Sequence, residues 1–556
     1  MGNDEIKNMQ AKKYFNDFTL NKASYRNAND ELHEEVKLSF SIQNCQLTTK
    51  YSFTVNSVLE NNQNQFLLSC DSKNINHNNE ILFEETIIMK YFFEKEQKLD
   101  FTFSINNQSF LIKTTLGEIV GSRNNTYIYK LNNENTLFLI KAEKLEKNKS
   151  NIFLKFNFEI QPSYVLDYSI PKNKIFFLIS NNNKLYSSES LSDRGEFQKI
   201  EIPINLLKPS FNIKFYDFKK KILLDKNYTP EEYQNNKNEK LNLSKKRIYT
   251  IINKSKIIEK YSFLDYLKSG VYLGLSIGID FTGSNGHPLD EGSLHRIKEG
   301  YLNDYEKAIY ACGNIIAYYD YDQLFPVYGF GAIIKNSNNN QANMCFPINF
   351  NLNDPNIYTI EGVINCYHQC LSNLTFSGPT YFSPIINQVI NLIKLKNNNL
   401  QYQVLMILTD GIINDMNETV DALVEGSFLP LSVIIIGVGN ANFRNMEQLD
   451  GDEYPLVSSQ GKKELRDIVQ FVPFNQFANN PQRLAQEVLE EIPRQINEYY
   501  TMNNIYPENL SLTKINTQNI FQNNINRNNY QQKLNNNYES SHSFIKSRNI
   551  INKNYK

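Results

Sequence analysis

Tryptophan is absent from this 556-residue chain, and cysteine is scarce, with Cys45, Cys70, Cys312, Cys345, Cys366 and Cys370 scattered along it. So few thiols cannot staple a chain of this length, which excludes a disulfide scaffold and points to a reducing compartment. The missing tryptophan accompanies an excess of Asn, Lys and Ile; we read this as nucleotide bias and attach no function to it. Net charge is also missing: 58 Lys and Arg balance 59 Asp and Glu. That excludes a global nucleic-acid footprint, so local charge must carry any selectivity for a surface or a partner. The first residues, MGNDEIKNMQ, lack the apolar core of a secretory signal. No apolar run reaches membrane-spanning length, and Ser432–Gly439 reads as a buried strand. Gly2 suggests N-terminal myristoylation, but Asp4, Glu5 and Ile6 stand where that signal wants other residues.

Catalytic motifs are missing as well. There is no G-x-S-x-G elbow, no phosphate-binding G-x-x-x-x-G-K-[ST] loop and no H-E-x-x-H pair. Gly461-Lys462-Lys463 lacks the upstream glycine and the hydroxyl of such a loop. Cys366 and Cys370 stand four apart with His368 between them, but zinc would need more ligands on that face, and core thiols are the plainer reading. The chain is expected not to be an enzyme.

What is present is foldable sequence. Hydrophobic residues make up 41% and charged residues 21%, and the length calls for two to four domains. A polar segment, 1–34, comes first. From Val36 the pattern alternates, as in Val36, Leu38, Phe40 and Ile42, and again in Leu99, Phe101, Phe103 and Ile105. A second set follows in Ile152, Leu154, Phe156, Phe158 and Ile160, and in Ile175–Ile179. Alternation broken by Asn/Ser/Lys-rich turns predicts two all-β sandwiches, over 35–135 and 136–260. After Gly270 the period changes. Strand-like runs at Leu275–Ile279, Val404–Leu408, Ser432–Val438 and Ile468–Phe471 alternate with helix-like ones at Tyr305–Tyr318, Tyr358–Leu371, Ser383–Lys396, Thr419–Ser427 and Gln482–Tyr500. That predicts a doubly wound α/β domain over 261–500. An Asn-rich segment, 501–556, is expected to be a disordered tail.

Three separated stretches of the α/β region fit together as one metal site: IGIDFTGSNG (Ile277–Gly286), SGPTYFSP (Ser377–Pro384) and LMILTDG (Leu405–Gly411). The first and third run from an apolar strand into polar residues beside glycine, at the sheet edge where open α/β folds bind ligands. Asp280, Thr282 and Ser284 alternate and so point the same way. Thr380 adds a hydroxyl and Asp410 a second carboxylate. An all-oxygen set with two carboxylates suits a hard divalent cation, Mg²⁺ or Mn²⁺. An open position on that cation would attract a carboxylate from a protein partner. No base or nucleophile accompanies the set, which marks it as a binding site.

These motifs, with YDYDQLFPVYGFGA (Tyr319–Ala332), SVIIIGVGNANF (Ser432–Phe443), LDGD (Leu449–Asp452) and DIVQFVPF (Asp467–Phe474), resemble the von Willebrand factor A-type module of copines, from about Ser262 to Tyr500. The resemblance implies a metal-ion-dependent adhesion site on Asp280, Thr282, Ser284, Thr380 and Asp410. His287 departs from the family, which usually carries an acidic residue there. Upstream, YFFEKEQKLDF (Tyr91–Phe101), TLGEIV (Thr115–Val120) and SFLDYLKSG (Ser262–Gly270) resemble parts of the tandem C2 domains that precede the module in copines.

Copines bind anionic phospholipid in response to Ca²⁺, through aspartates on C2 top loops. Here the first domain's loops, Gln43–Thr54 and Asn106–Phe110, hold no Asp or Glu, whereas Ca²⁺ wants several carboxylates. The second domain offers Asp167 and Asp217 for a weak calcium site. Lys219, Lys220 and Lys221 oppose a cation there and are candidates for direct contact with anionic lipid. The expected protein is a cytoplasmic adaptor, peripheral at the plasma membrane, joining phospholipid to an acidic protein partner. The alternative is a soluble Mg²⁺-dependent interaction module whose C2-like domains bind no lipid.

Overall fold

The structure is a computed structural model. It describes residues 34–510 apart from 45–50, 60–61, 70–74, 77–79, 106–107, 132–135, 146–151, 163–174, 182, 192–194, 218, 237–238, 245–247, 253–255, 260, 299, 336–340 and 451–454. The chain divides into two compact bodies: residues 146–261, and residues 33–145 together with 262 onward.

The first sandwich is antiparallel. One sheet is built on Glu34–Gln43, which pairs with Thr136–Lys144 and Ile87–Tyr91; the other runs through Tyr51–Leu59, Lys98–Ile105 and Gln108–Thr115. Alternation sets the inward face, since Val36, Leu38, Phe40 and Ile42 are all buried. Phe40, Phe101, Phe103 and Phe138 meet at its centre. The boundary expected at 135/136 is corrected here. Thr136–Lys144 lies along Glu34–Gln43 from Leu137 to Lys144 and closes the first sandwich, so the break falls after Leu145.

The second sandwich packs Phe156, Phe158, Phe177, Phe211 and Phe215 around the fully buried Tyr233. The run read as one strand from Ile152 to Ile160 is two, Ile152–Phe156 and Phe158–Pro162, which pair in different sheets. Ile152 itself is 38% exposed at the outer end.

In the α/β region a mostly parallel sheet is ordered Leu324–Phe330, Tyr272–Asp280, Gln401–Thr409, Leu431–Gly437, Val469–Pro473. Strands buried on both faces read as continuous apolar runs, and helices Ile360–Leu371, Ser383–Lys396 and Met416–Gly426 match the periodic segments. Leu324–Phe330 escaped the pattern because Pro326 and Gly329 interrupt it. The segment 482–500 forms two helices, Pro481–Leu489 and Ile492–Met502, because Pro493 suits a first turn but not an interior. Order also continues past residue 500. Ile505 accepts from Tyr266 Oη at 3.2 Å, and Leu510 is buried, so the expectation of disorder from residue 501 is corrected for residues 501–510. Residues 511–556 lie outside the described residues.

The first sandwich and the α/β domain belong to one body. Tyr91 and Tyr319 hydroxyls meet at 2.6 Å, and Phe93 packs on Phe263 and Tyr319 with ring centroids 5.1 and 4.9 Å apart. Lys144 donates to Asp265 at 2.7 Å and to Ser262 at 2.8 Å.

Candidate metal centre

Strand Tyr272–Asp280 lies between two parallel neighbours, so their carboxyl ends share one edge. Asp280 ends the central strand, fully buried, and Thr409-Asp410 ends and follows the next. Beyond Asp280 the chain turns through a short 3₁₀ segment, Gly283–Asn285, held by Gly283 N–H donating to Ser377 O at 2.6 Å. Gly331 makes that turn's position available. Its φ is +77°, and a Cβ there would lie 2.2 Å from Thr282 Cγ2.

The predicted ligands converge. Asp280 Oδ1 accepts from Thr282 N–H at 2.8 Å and from Thr282 Oγ1 at 2.6 Å. Thr282 Oγ1 is 3.0 Å from Ser284 Oγ, which donates to Asp410 Oδ1 at 2.9 Å. The third stretch arrives at Gly411, where a Cβ would stand 2.8 Å from Thr380 Oγ1 and 3.5 Å from Asp280 Oδ2. Thr380 is pinned there by reciprocal bonds with Asn414, each 2.9 Å. Ser284 is exposed while Asp280, Thr282, Thr380 and Asp410 are buried, so the cluster opens to solvent at the serine.

Electrostatics match the chemistry of a cation site. Burial and then the Asp410 charge push the Asp280 carboxyl up to about 7, against hydrogen bonds from Thr282 and Thr409 that pull it down. Burial also raises Asp410, opposed chiefly by Ser284. Two carboxylates forced together in a dry edge are costly without a positive charge. The donors are all oxygen, which fits Mg²⁺ or Mn²⁺ better than a softer ion.

Several supporting residues were not singled out in the sequence. Thr409 donates to Asp280 Oδ2 at 2.5 Å. Asn285 Nδ2 donates to Asp410 Oδ1 at 2.7 Å, and Tyr305 Oη donates to Asn285 Oδ1 at 2.7 Å. His295 is fully buried; burial holds it down to about 3, so the ring is neutral. Its Nε2 faces the Asp280 carbonyl at 2.8 Å and must donate, leaving Nδ1 to accept from Tyr367 Oη at 2.7 Å. Asn285 and Thr409 stand inside the quoted motifs; His295 lies eleven positions past Ser284 (295 − 284) and carries no local signal. His287 is exposed and accepts from Leu289 N–H at 3.3 Å.

The other candidates lie in the second sandwich. Asp167 is outside the described residues. Asp217 Oδ1 accepts from the N–H groups of Lys219 at 2.9 Å and Lys221 at 2.8 Å, which builds the turn carrying the three exposed lysines. Asp217 therefore shapes a basic tip. Cys366 and Cys370 are free thiols, and His368 pairs with Glu306 at 2.5 Å.

The α/β domain is of the von Willebrand factor A type, preceded by two C2-like sandwiches. Residues 293–508 match the family model described as Copine. Among solved structures, proximal thread matrix protein 1 from the mussel byssus is 14% identical over 39% of this chain and 48% of its own, with a TM-score of 0.24. This chain thus spans about half of that protein. Manganese-loaded Plasmodium vivax TRAP protein is 12% identical over 37% of this chain and 70% of its own, with a TM-score of 0.24. The calcium-bound pair of C2 domains from Extended-Synaptotagmin 2 is 10% identical over 41% of this chain and 98% of its own, with a TM-score of 0.17.

Proposed function

We propose that this chain is a non-catalytic peripheral adaptor at the cytoplasmic face of the plasma membrane, joining anionic phospholipid to an acidic protein partner. The observation that carries the reading is the hydrogen-bonded cluster of Asp280, Thr282, Ser284 and Asp410, joined by Thr380 at the sheet edge. These residues would hold Mg²⁺ or Mn²⁺. When bound, the ion supplies an electrophilic position for a partner carboxylate. The chain's own part is to neutralise the ion with two buried carboxylates and leave Ser284 at the open side.

Lipid attachment is proposed through the lysine tip of the second sandwich, where Asp217 presents Lys219, Lys220 and Lys221 together. Ammonium groups on such a tip attract anionic headgroups without a calcium bridge. The test of the partner reading is capture from lysate by full-length protein, in Mg²⁺ and in EDTA, beside Asp280→Ala. Partners should be held in Mg²⁺ and lost both in EDTA and in the variant. Capture that survives Asp280→Ala refutes the coordination set.

A further inference from the structure

Behind the proposed cation lies a buried polar lattice that the ligand set does not use. Asn285 is 1% exposed and sits where the first loop turns away from Asp280. Its side chain spans two elements: Nδ2 donates to Asp410 Oδ1 at 2.7 Å, and Oδ1 accepts from Tyr305 Oη at 2.7 Å. Tyr305 belongs to helix Asp304–Ala308, whose first turn is fixed by reciprocal bonds between Asn303 and Glu306. Its ring stacks on His295 with centroids 4.2 Å apart, and His295 in turn holds the Asp280 carbonyl.

The polarity of this chain follows from its ends. An ionised carboxylate can only accept, so the Asn285 amide must turn its N–H₂ to Asp410 and its carbonyl to Tyr305. Asp410 Oδ1 then carries two donors, Asn285 and Ser284, which fixes the rotation of that carboxylate. We propose that Asn285 is a positioning residue of the metal centre: oriented by Tyr305, it holds Asp410 in the attitude that cation binding requires. The proposal rests on the metal reading above. Partners of this kind, standing behind the ligands, typically set metal affinity by about 10- to 100-fold.

The test is Mn²⁺ titration of the full chain by calorimetry, with melting in EDTA as a separate readout of folding. Asn285→Asp keeps the shape and still accepts from Tyr305, but turns an acceptor onto Asp410. The positioning role requires Mn²⁺ affinity to fall about 10- to 100-fold. Tyr305→Phe removes one oxygen and should weaken Mn²⁺ binding less, with the double variant no worse than Asn285→Asp alone. Mn²⁺ affinity equal to or tighter than the parent's in Asn285→Asp overturns the proposal. Should that variant fail to fold, unchanged affinity in Tyr305→Phe overturns it equally. Asp280→Ala separates the two readings. If it keeps Mn²⁺, the metal centre itself is refuted. If it loses Mn²⁺ while Asn285→Asp does not, only the positioning role falls.

Discussion

Gly121→Ala should loosen the first sandwich from the A-type domain and destabilise both. Gly121 ends helix Leu116–Gly121, and a Cβ there would lie 2.2 Å from the Tyr318 carbonyl oxygen and 3.1 Å from Tyr319 Cδ1. Alanine in a helix is otherwise favourable over glycine by about 0.5–1 kcal/mol. Against this stands a backbone clash that no rotamer relieves, at the upper end of the roughly 1–3 kcal/mol typical of overpacking. The net loss is about 2 kcal/mol. At the shallow end of the scaling for large domains, about 2 °C per kcal/mol, the melting temperature falls by about 4 °C.

Gly117→Ala is the internal comparison. Its Cβ would meet Tyr318 Cδ2 at 2.8 Å, a less severe approach and to a side chain rather than to backbone, so the loss should be smaller. Calorimetry of the full chain gives the shift, and native-state hydrogen exchange tells where it acts. Because Tyr91, Phe93, Phe263 and Tyr319 form one buried cluster across the joint, protection should drop in Lys98–Ile105 and Tyr272–Asp280 together. A Gly121→Ala protein as stable as the parent, or exchange changes confined to the sandwich, would refute the single-body reasoning.

Further outcomes follow from charge. Burial, with Glu491 and Glu464 nearby, pushes Asp467 up to about 7 despite the Val469 N–H and Arg494. A carboxyl raised in the folded state stabilises while protonated, and that contribution is lost as pH rises through about 7. Asp467→Asn should therefore gain melting temperature over the parent at pH 8 and little at pH 4; a variant less stable than the parent at pH 8 would show that Arg494 outweighs burial. Replacing Lys219, Lys220 and Lys221 with glutamate should cut binding to anionic liposomes in EGTA by at least on the order of 100-fold, from about 1 kcal/mol per lysine. Parent binding should persist in EGTA and weaken with salt; sedimentation strictly dependent on Ca²⁺ would contradict the lysine reading.

Much of this protein is written in local pattern. Alternation at Val36, Leu38, Phe40 and Ile42 determined a strand and its buried face, because a pleat repeats every two residues. The apolar runs ending in Asp280 and Thr409 determined parallel strands with polar residues at their carboxyl ends. That Asp280, Thr282, Ser284, Thr380 and Asp410 come together at one sheet edge was legible because each candidate ligand sits in a short motif tied to a strand end or turn.

Tertiary structure alone decided what depends on contact between distant segments. Thr136–Lys144 has no label saying which sandwich it closes, and only its pairing with Glu34–Gln43 assigns it. His295 and Tyr305 look like an ordinary loop histidine and helix tyrosine. They support the site because folding brings one to the Asp280 carbonyl and the other to Asn285. The joint at Gly121 and Tyr318 is likewise invisible in either segment. Periodicity records which way a side chain points, but the identity of its neighbour is fixed only when two surfaces close on each other and exclude water.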